Sequence, residues 1–150
     1  LEEPYEVIFG PAYKGIPIAS SLATQLGLKN SKAYPVCFAR KEEKDHGEGG
    51  VLIGSVENKR VLVVDDVLTA VSALRNAIKL VNESGGKVVA AVVDLDREEK
   101  NKDAGTVKES LEGELNIPIR AIASISRLTN FLEQENLQEQ ADLIKRHYFE

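Results

Sequence analysis

The chain has 150 residues, 43% hydrophobic and 29% charged, the balance of one soluble domain with a single core. A net charge of -5 and a pI near 5.2 argue against a general nucleic-acid or membrane-surface binder, because those surfaces attract an excess of Lys and Arg. A single cysteine, Cys37, makes no intrachain disulfide, and with His46 and His147 as the only histidines the composition argues against a Cys/His zinc site.

Tyr5 to Phe9 is short, apolar and β-rich and stops at Gly10-Pro11, which predicts a buried strand and a turn. Ile16 to Leu26 reads as a helix with Ile18, Leu22, Ala23 and Leu26 on one face. Ala33 to Ala39 returns to strand composition, and residues 40–50 are polar, with three glycines among the last four, as expected of a mobile loop. Val51 to Gly54 and Arg60 to Val64 follow as strands, the second a β-branched run of the kind buried on both faces, with Asp65 and Asp66 at its carboxyl end. Ser72 to Glu83 carries Leu74, Ala77, Ile78 and Val81 at helical spacing and ends at Gly85-Gly86. Val88 to Leu95 is the next buried strand. Asn101 to Gly105 is a polar connection, Val107 to Glu114 a helix and Ile119 to Ile125 a strand, and Ser126 to Tyr148 is helical with a break near Asn136.

This alternation predicts an α/β fold with a central, mostly parallel sheet flanked by helices and a ligand site at the carboxyl ends of the strands. No repeat or linker divides it, so residues 1–150 are read as one domain. No apolar run approaches the roughly 20 residues that span a bilayer, and Leu1-Glu2-Glu3-Pro4 lacks the features of a signal peptide. A reducing, cytoplasmic location is expected. The absence of methionine points to a fragment of a longer chain.

Three segments carry chemistry. Val61 to Ala73 is a buried strand, then paired carboxylates, then a small-residue turn bearing Thr69 and Ser72 that leads into a helix. Unsatisfied N–H groups at such a helix start suit a phosphate while the carboxylates face sugar hydroxyls. The same residues, alone, are also what ends a strand and caps a helix. Phe9-Gly-Pro-Ala-Tyr-Lys-Gly15 allows a tight turn and offers Lys14, but lacks the Lys-Ser/Thr pair after the last glycine that an ATPase phosphate loop requires. Arg40, Lys41, Lys44 and His46 lie on the glycine-terminated segment, where they fit a lid over a departing polyanion as well as a solvated surface.

Taken together, the Gly-Pro-Ala-Tyr-Lys-Gly turn, Arg40-Lys-x-x-Lys-Asp-His-Gly-x-Gly-Gly50, Asp65-Asp-Val-x-Thr-Ala70 and Leu95-Asp-Arg-Glu98 resemble the orotate phosphoribosyltransferases, within the type I phosphoribosyltransferase fold. The resemblance implies transfer of phosphoribosyl from phosphoribosyl pyrophosphate to orotate, with Mg2+, giving orotidine 5'-monophosphate and pyrophosphate in pyrimidine biosynthesis. It implies that Asp65 and Asp66 hold the ribose hydroxyls, directly or through metal-bound water. Thr69, Ala70, Val71, Ser72 and Ala73 would cradle the 5'-phosphate, Lys14 would meet the pyrophosphate side of the donor, and Tyr13 would be a further substrate-binding residue. Arg40, Lys41, Lys44 and His46 would bind the pyrophosphate, with Lys44 the main stabiliser of the leaving group, and Arg97 would pair with the orotate carboxylate. It further implies a homodimer, loop 40–50 closing over the partner's site, and no direct protein ligand to the metal.

Two departures from the family stand out: Val71 occupies a position usually held by Gly, and the family's N-terminal segment is absent from this sequence. They motivate one alternative, a non-catalytic phosphoribosyl-binding module of the same fold; the other is a phosphoribosyltransferase for another nucleobase, against which Arg97 and the full loop motif favour orotate.

Overall fold

The computed structural model describes residues 4–39, 51–68, 73–100 and 105–149. Among them the chain runs β1 (Val7–Gly10), α1 (Gly15–Asn30), β2 (Val36–Ala39), β3 (Leu52–Ile53), β4 (Arg60–Leu68), α2 (Ala73–Glu83), β5 (Lys87–Asp96), α3 (Val107–Leu115), β6 (Ile119–Ser124), α4 (Ile125–Gln134) and α5 (Gln138–Tyr148). The strands form one sheet in the order β3-β2-β1-β4-β5-β6, parallel throughout except for the antiparallel β2–β3 edge. This is the α/β architecture that the alternation of elements predicts, a central, mostly parallel sheet flanked by helices.

Apolar runs become central strands because both faces of the sheet are covered. Ile8 and Phe9 are buried in β1, and Val61 to Val64 are buried in β4. Val61, Val63 and Phe9 join Leu74, Ala77, Ile78 and Val81 of α2 in one cluster. Ile8, Leu62 and Val64 face the other way and meet Ala19 and Ala23 of α1, whose small side chains let that helix lie close to the sheet. Cys37 is a fully buried core residue of β2, and burial pushes its thiol up to about 11, so it has no nucleophilic role.

The helix boundaries have local causes. Thr106 and Glu109 form a reciprocal capping box at the start of α3. Ser124 caps α4 by accepting from the Arg127 N–H, which ends β6 one residue before the predicted limit. The predicted break near Asn136 is real: this residue takes φ 60° between α4 and α5.

One boundary differs in a way that matters for function. β4 does not end before the acidic pair but continues to Leu68, because β5 pairs alongside it as far as Leu68↔Asp96. β1, in contrast, accompanies β4 only to Phe9↔Val63. Asp65 and Asp66 therefore lie in a strand supported on one side and freed on the other.

The turn after β1 folds onto this place. A Cβ at Gly10 would overlap the Gly15 carbonyl oxygen, and one at Gly15 would lie 2.8 Å from the Val64 carbonyl oxygen and 2.5 Å from Pro11 Cδ. These glycines are required by close backbone approach. A Cβ at Gly113, on the exposed face of α3, would meet nothing within 4 Å among the described residues. Urea denaturation should accordingly show Gly15→Ala destabilised by about 1–3 kcal/mol, as expected of a forced clash. Gly113→Ala should gain about 0.5–1 kcal/mol from helix propensity.

Candidate active site

The order of the strands reverses at β1 and β4, and α1 and α2 leave from opposite faces of the sheet there. In open α/β sheets the crevice at such a reversal is where ligands bind. The structure brings Lys14 and the acidic pair to it from two different elements. Lys14 Nζ donates to Asp66 Oδ2 at 2.6 Å, on a lysine side chain that is 77% exposed and an aspartate that is 27% exposed. Tyr13, joined to Ala12 by a cis peptide bond, is an exposed residue of the same turn.

The two carboxylates differ electrostatically. Burial raises the pKa of Asp65 and the neighbouring Asp66 charge adds to this, against the Asp66 N–H that donates to Asp65 Oδ1 at 3.0 Å. Partial burial pushes Asp66 in the same direction but is outweighed by the Lys14 hydrogen bond and the Val67 N–H, so its pKa is lowered. The hydrogen bond from Lys14 to Asp66, and then the Asp66 charge, in turn raise the pKa of Lys14. The strand thus holds one carboxylate already paired with a cation and one whose ionised form is disfavoured.

Ala73 is the first residue of α2, where the helix dipole is positive. Thr69, Ala70, Val71 and Ser72 lie outside the described residues, as do Arg40, Lys41, Lys44 and His46.

Arg97 follows β5, the neighbour of β4, and among the described residues its partners are Glu99 and Tyr148 rather than Lys14 or the acidic pair. Its Nε lies 3.4 Å from Glu99 Oε1 and is buried without a hydrogen bond among the described residues, and its guanidinium carbon sits 5.5 Å from the Tyr148 ring centre. Sequence reasoning included the two flanking acids in the Leu95-Asp-Arg-Glu98 match but gave them no role. Asp96 is 7% exposed and its Oδ1 accepts the Glu98 N–H at 2.9 Å. Glu98 takes φ 53° and binds Ser126 through both carboxylate oxygens, to the N–H at 2.6 Å and to the hydroxyl at 2.7 Å. The available signal was Ser124-Ile-Ser126 ahead of an apolar helical run, which marks a helix start in need of acceptors.

A family model described as a phosphoribosyl transferase domain matches residues 2–121. An orotate phosphoribosyltransferase of Aliivibrio fischeri is 41% identical over 144 residues, covering 95% of this chain and 68% of that protein. One from Pseudoalteromonas translucida is 40% identical over 136 residues, covering 91% and 64% respectively. The chain thus spans about two thirds of the length of these curated relatives. Among solved structures, the orotate phosphoribosyltransferase of Francisella tularensis superposes with a TM-score of 0.77 at 28% identity, over 98% of this chain and 72% of that one. That of Mycobacterium tuberculosis in complex with 5-phospho-α-D-ribosyl 1-diphosphate gives 0.63 at 25% identity, over 85% and 67%.

Fold, crevice and family match define a phosphoribosyltransferase domain. Within that class the chain belongs to the orotate phosphoribosyltransferases, the pentosyl-transferring enzymes that its relatives are named for.

The acidic pair can be separated by pH. A raised carboxyl pKa favours the folded state below the unfolded value and loses that contribution as pH rises, so at neutral pH ionised Asp65 is a cost that Asp65→Asn removes. A lowered one contributes above the unfolded value and loses the contribution as pH falls, so Asp66→Asn forfeits the Lys14 pairing at neutral pH. Thermal unfolding at pH 7 should show a higher Tm for Asp65→Asn and a lower one for Asp66→Asn. Both differences should shrink below the ordinary carboxylate pKa of about 4.

Proposed function

We propose that the protein carries out phosphoribosyl transfer from phosphoribosyl pyrophosphate to orotate at the β1/β4 crevice, yielding orotidine 5'-monophosphate and pyrophosphate in pyrimidine biosynthesis. The observation that carries this reading is the meeting of Lys14, from the glycine turn, with Asp66, on a strand edge that β1 leaves free. A cation and two carboxylates there suit the two halves of a sugar pyrophosphate.

In this mechanism the bond from the anomeric carbon to pyrophosphate breaks, with the electron pair leaving on oxygen. A bond to an orotate ring nitrogen replaces it, and that nitrogen gives up its proton. Positive character grows on the sugar and negative charge on the leaving group, so the gains come from electrostatic complementarity rather than from a covalent nucleophile. Asp65 and Asp66 hold the ribose hydroxyls, Asp66 exchanging its contact with Lys14 for the sugar as Lys14 turns to the pyrophosphate. Thr69, Ala70, Val71, Ser72 and Ala73 receive the 5'-phosphate at the positive end of α2. Arg40, Lys41, Lys44 and His46 close on the pyrophosphate, Lys44 opposing most of its developing charge. Arg97 pairs with the orotate carboxylate, for which a planar guanidinium is matched.

The oxygen donors of Asp65 and Asp66 fit Mg2+ held through water, since this ion keeps much of its hydration shell and prefers carboxylate and phosphate partners. Bound with the donor, Mg2+ supplies further neutralisation of the pyrophosphate. We also infer a homodimer in which residues 40–50 reach the partner's site, and a cytoplasmic location. Among the described residues no helix is long and apolar enough to cross a membrane.

The test is the loss of orotate absorbance with phosphoribosyl pyrophosphate and Mg2+. Lys44→Ala should lower kcat by about a hundredfold or more, the scale of one lost transition-state contact. Turnover of uracil, hypoxanthine or adenine in place of orotate would sink the assignment of the acceptor. Val71 puts a β-branched side chain where the family usually has Gly, so Val71→Gly should tighten donor binding. Equal donor affinity for the two forms would mean that the Val71 side chain does not obstruct the phosphate.

A further inference from the structure

Asp96, Arg97 and Glu98 divide their work unevenly. Asp96 is buried and its carboxylate ties back the Glu98 N–H. Glu98 adopts a left-handed backbone conformation that L residues rarely take, at φ 53°. Its carboxylate meets the first turn of α4, with Oε2 accepting the Ser126 N–H at 2.6 Å and Oε1 accepting the Ser126 hydroxyl at 2.7 Å. That N–H is one of the donors a helix start leaves unsatisfied, and an anionic acceptor there is favoured by both charge assistance and the dipole.

The strands place these partners level with each other, since Asp96 pairs with Ser124 at the end of β5 and β6. Ser124 Oγ lies 3.0 Å from Ser126 Oγ and accepts the Arg127 N–H. The outcome is a closed latch between the β5 turn and α4. It fixes the backbone on both sides of Arg97 while committing neither of that residue's terminal nitrogens to the latch. Adjacent side chains consequently part company: Glu98 lines a cleft of about 350 Å³ with Ser124, Ser126 and Arg127, and Arg97 lines another with Lys100, His147 and Tyr148.

We propose that Glu98 is a positioning residue for the acceptor, acting through Arg97: its latch on Ser126 holds the turn that aims the guanidinium at the orotate carboxylate. The inference rests on the reading of Arg97 as the acceptor's partner. Glu98 touches no substrate in this scheme, so its loss changes how well orotate is held and leaves the donor site alone.

The informative variants are Glu98→Gly, Glu98→Gln and Ser126→Ala, beside Arg97→Ala. Glycine accepts the left-handed backbone without strain and removes only the latch, whereas glutamine keeps a neutral acceptor. Steady-state kinetics should show Glu98→Gly raising the orotate KM roughly tenfold to a hundredfold, the cost of misplacing a binding group by a fraction of its reach. The donor KM should stay within about twofold, as expected when only one subsite is disturbed. Glu98→Gln should recover part of the loss, and Ser126→Ala should show a smaller rise of the same kind. Donor and acceptor constants moving together, or an orotate KM unchanged in Glu98→Gly, would overturn the proposal. If Glu98→Gly did not fold, Glu98→Gln and Ser126→Ala would decide by the same split. An orotate KM unaffected by Arg97→Ala would instead remove the acceptor reading itself, a distinguishable failure.

Discussion

The site depends on a mismatch in length between two neighbouring strands. β1 stops pairing at Val63, whereas β5 follows β4 to Leu68, so β4 passes from a fully enclosed strand to one with a free flank. Along the enclosed part, burial on both faces demands apolar side chains, and Val61 to Val64 supply them. Along the free part the same backbone, paired with β5 alone, leaves Asp65 and Asp66 partly exposed, with less desolvation than full enclosure would impose. The sheet therefore holds two carboxylates rigidly at its rim, a place where a loop would hold them loosely.

The glycine turn completes this arrangement from the other strand. Because Gly10 and Gly15 leave no room for side chains, the turn folds against the Val64 carbonyl, one residue before the acidic pair, and delivers Lys14 to Asp66. The ion pair is exposed on the Lys14 side and partly buried on the Asp66 side, and its contribution to stability is modest. In the proposed reaction its importance is that the two charges are already adjacent, so that a ligand carrying both hydroxyls and phosphates would replace a contact rather than create a charge in isolation.

Much of this was legible in the sequence, for reasons that can be named. The alternation of β-branched runs and helical periodicity fixed the order of elements, and even the break at Asn136 was readable from a polar gap in an otherwise helical segment. The extension of β4 to Leu68 was not, because paired aspartates read locally as the end of a strand and only the length of β5 overrides that preference. The glycine turn was recognised as tight, but its target, the Val64 carbonyl, is set by topology. The Glu98–Ser126 latch was hidden for a similar reason: its partners are 28 positions apart and meet only because β5 and β6 end level. Sequence patterns report local periodicity well; they do not report which loops face each other across a sheet.

Cys37 gives the fold a property unrelated to turnover. Its sulfur lies wholly inside β2, paired with β1 at Phe9, and its thiol is held in the protonated form by burial. Reagents that need a thiolate can reach it only when that strand leaves the sheet. The chain's sole sulfhydryl is therefore a native gauge of how often the half of the sheet bearing β1 and β2 opens, a clock set by local unfolding.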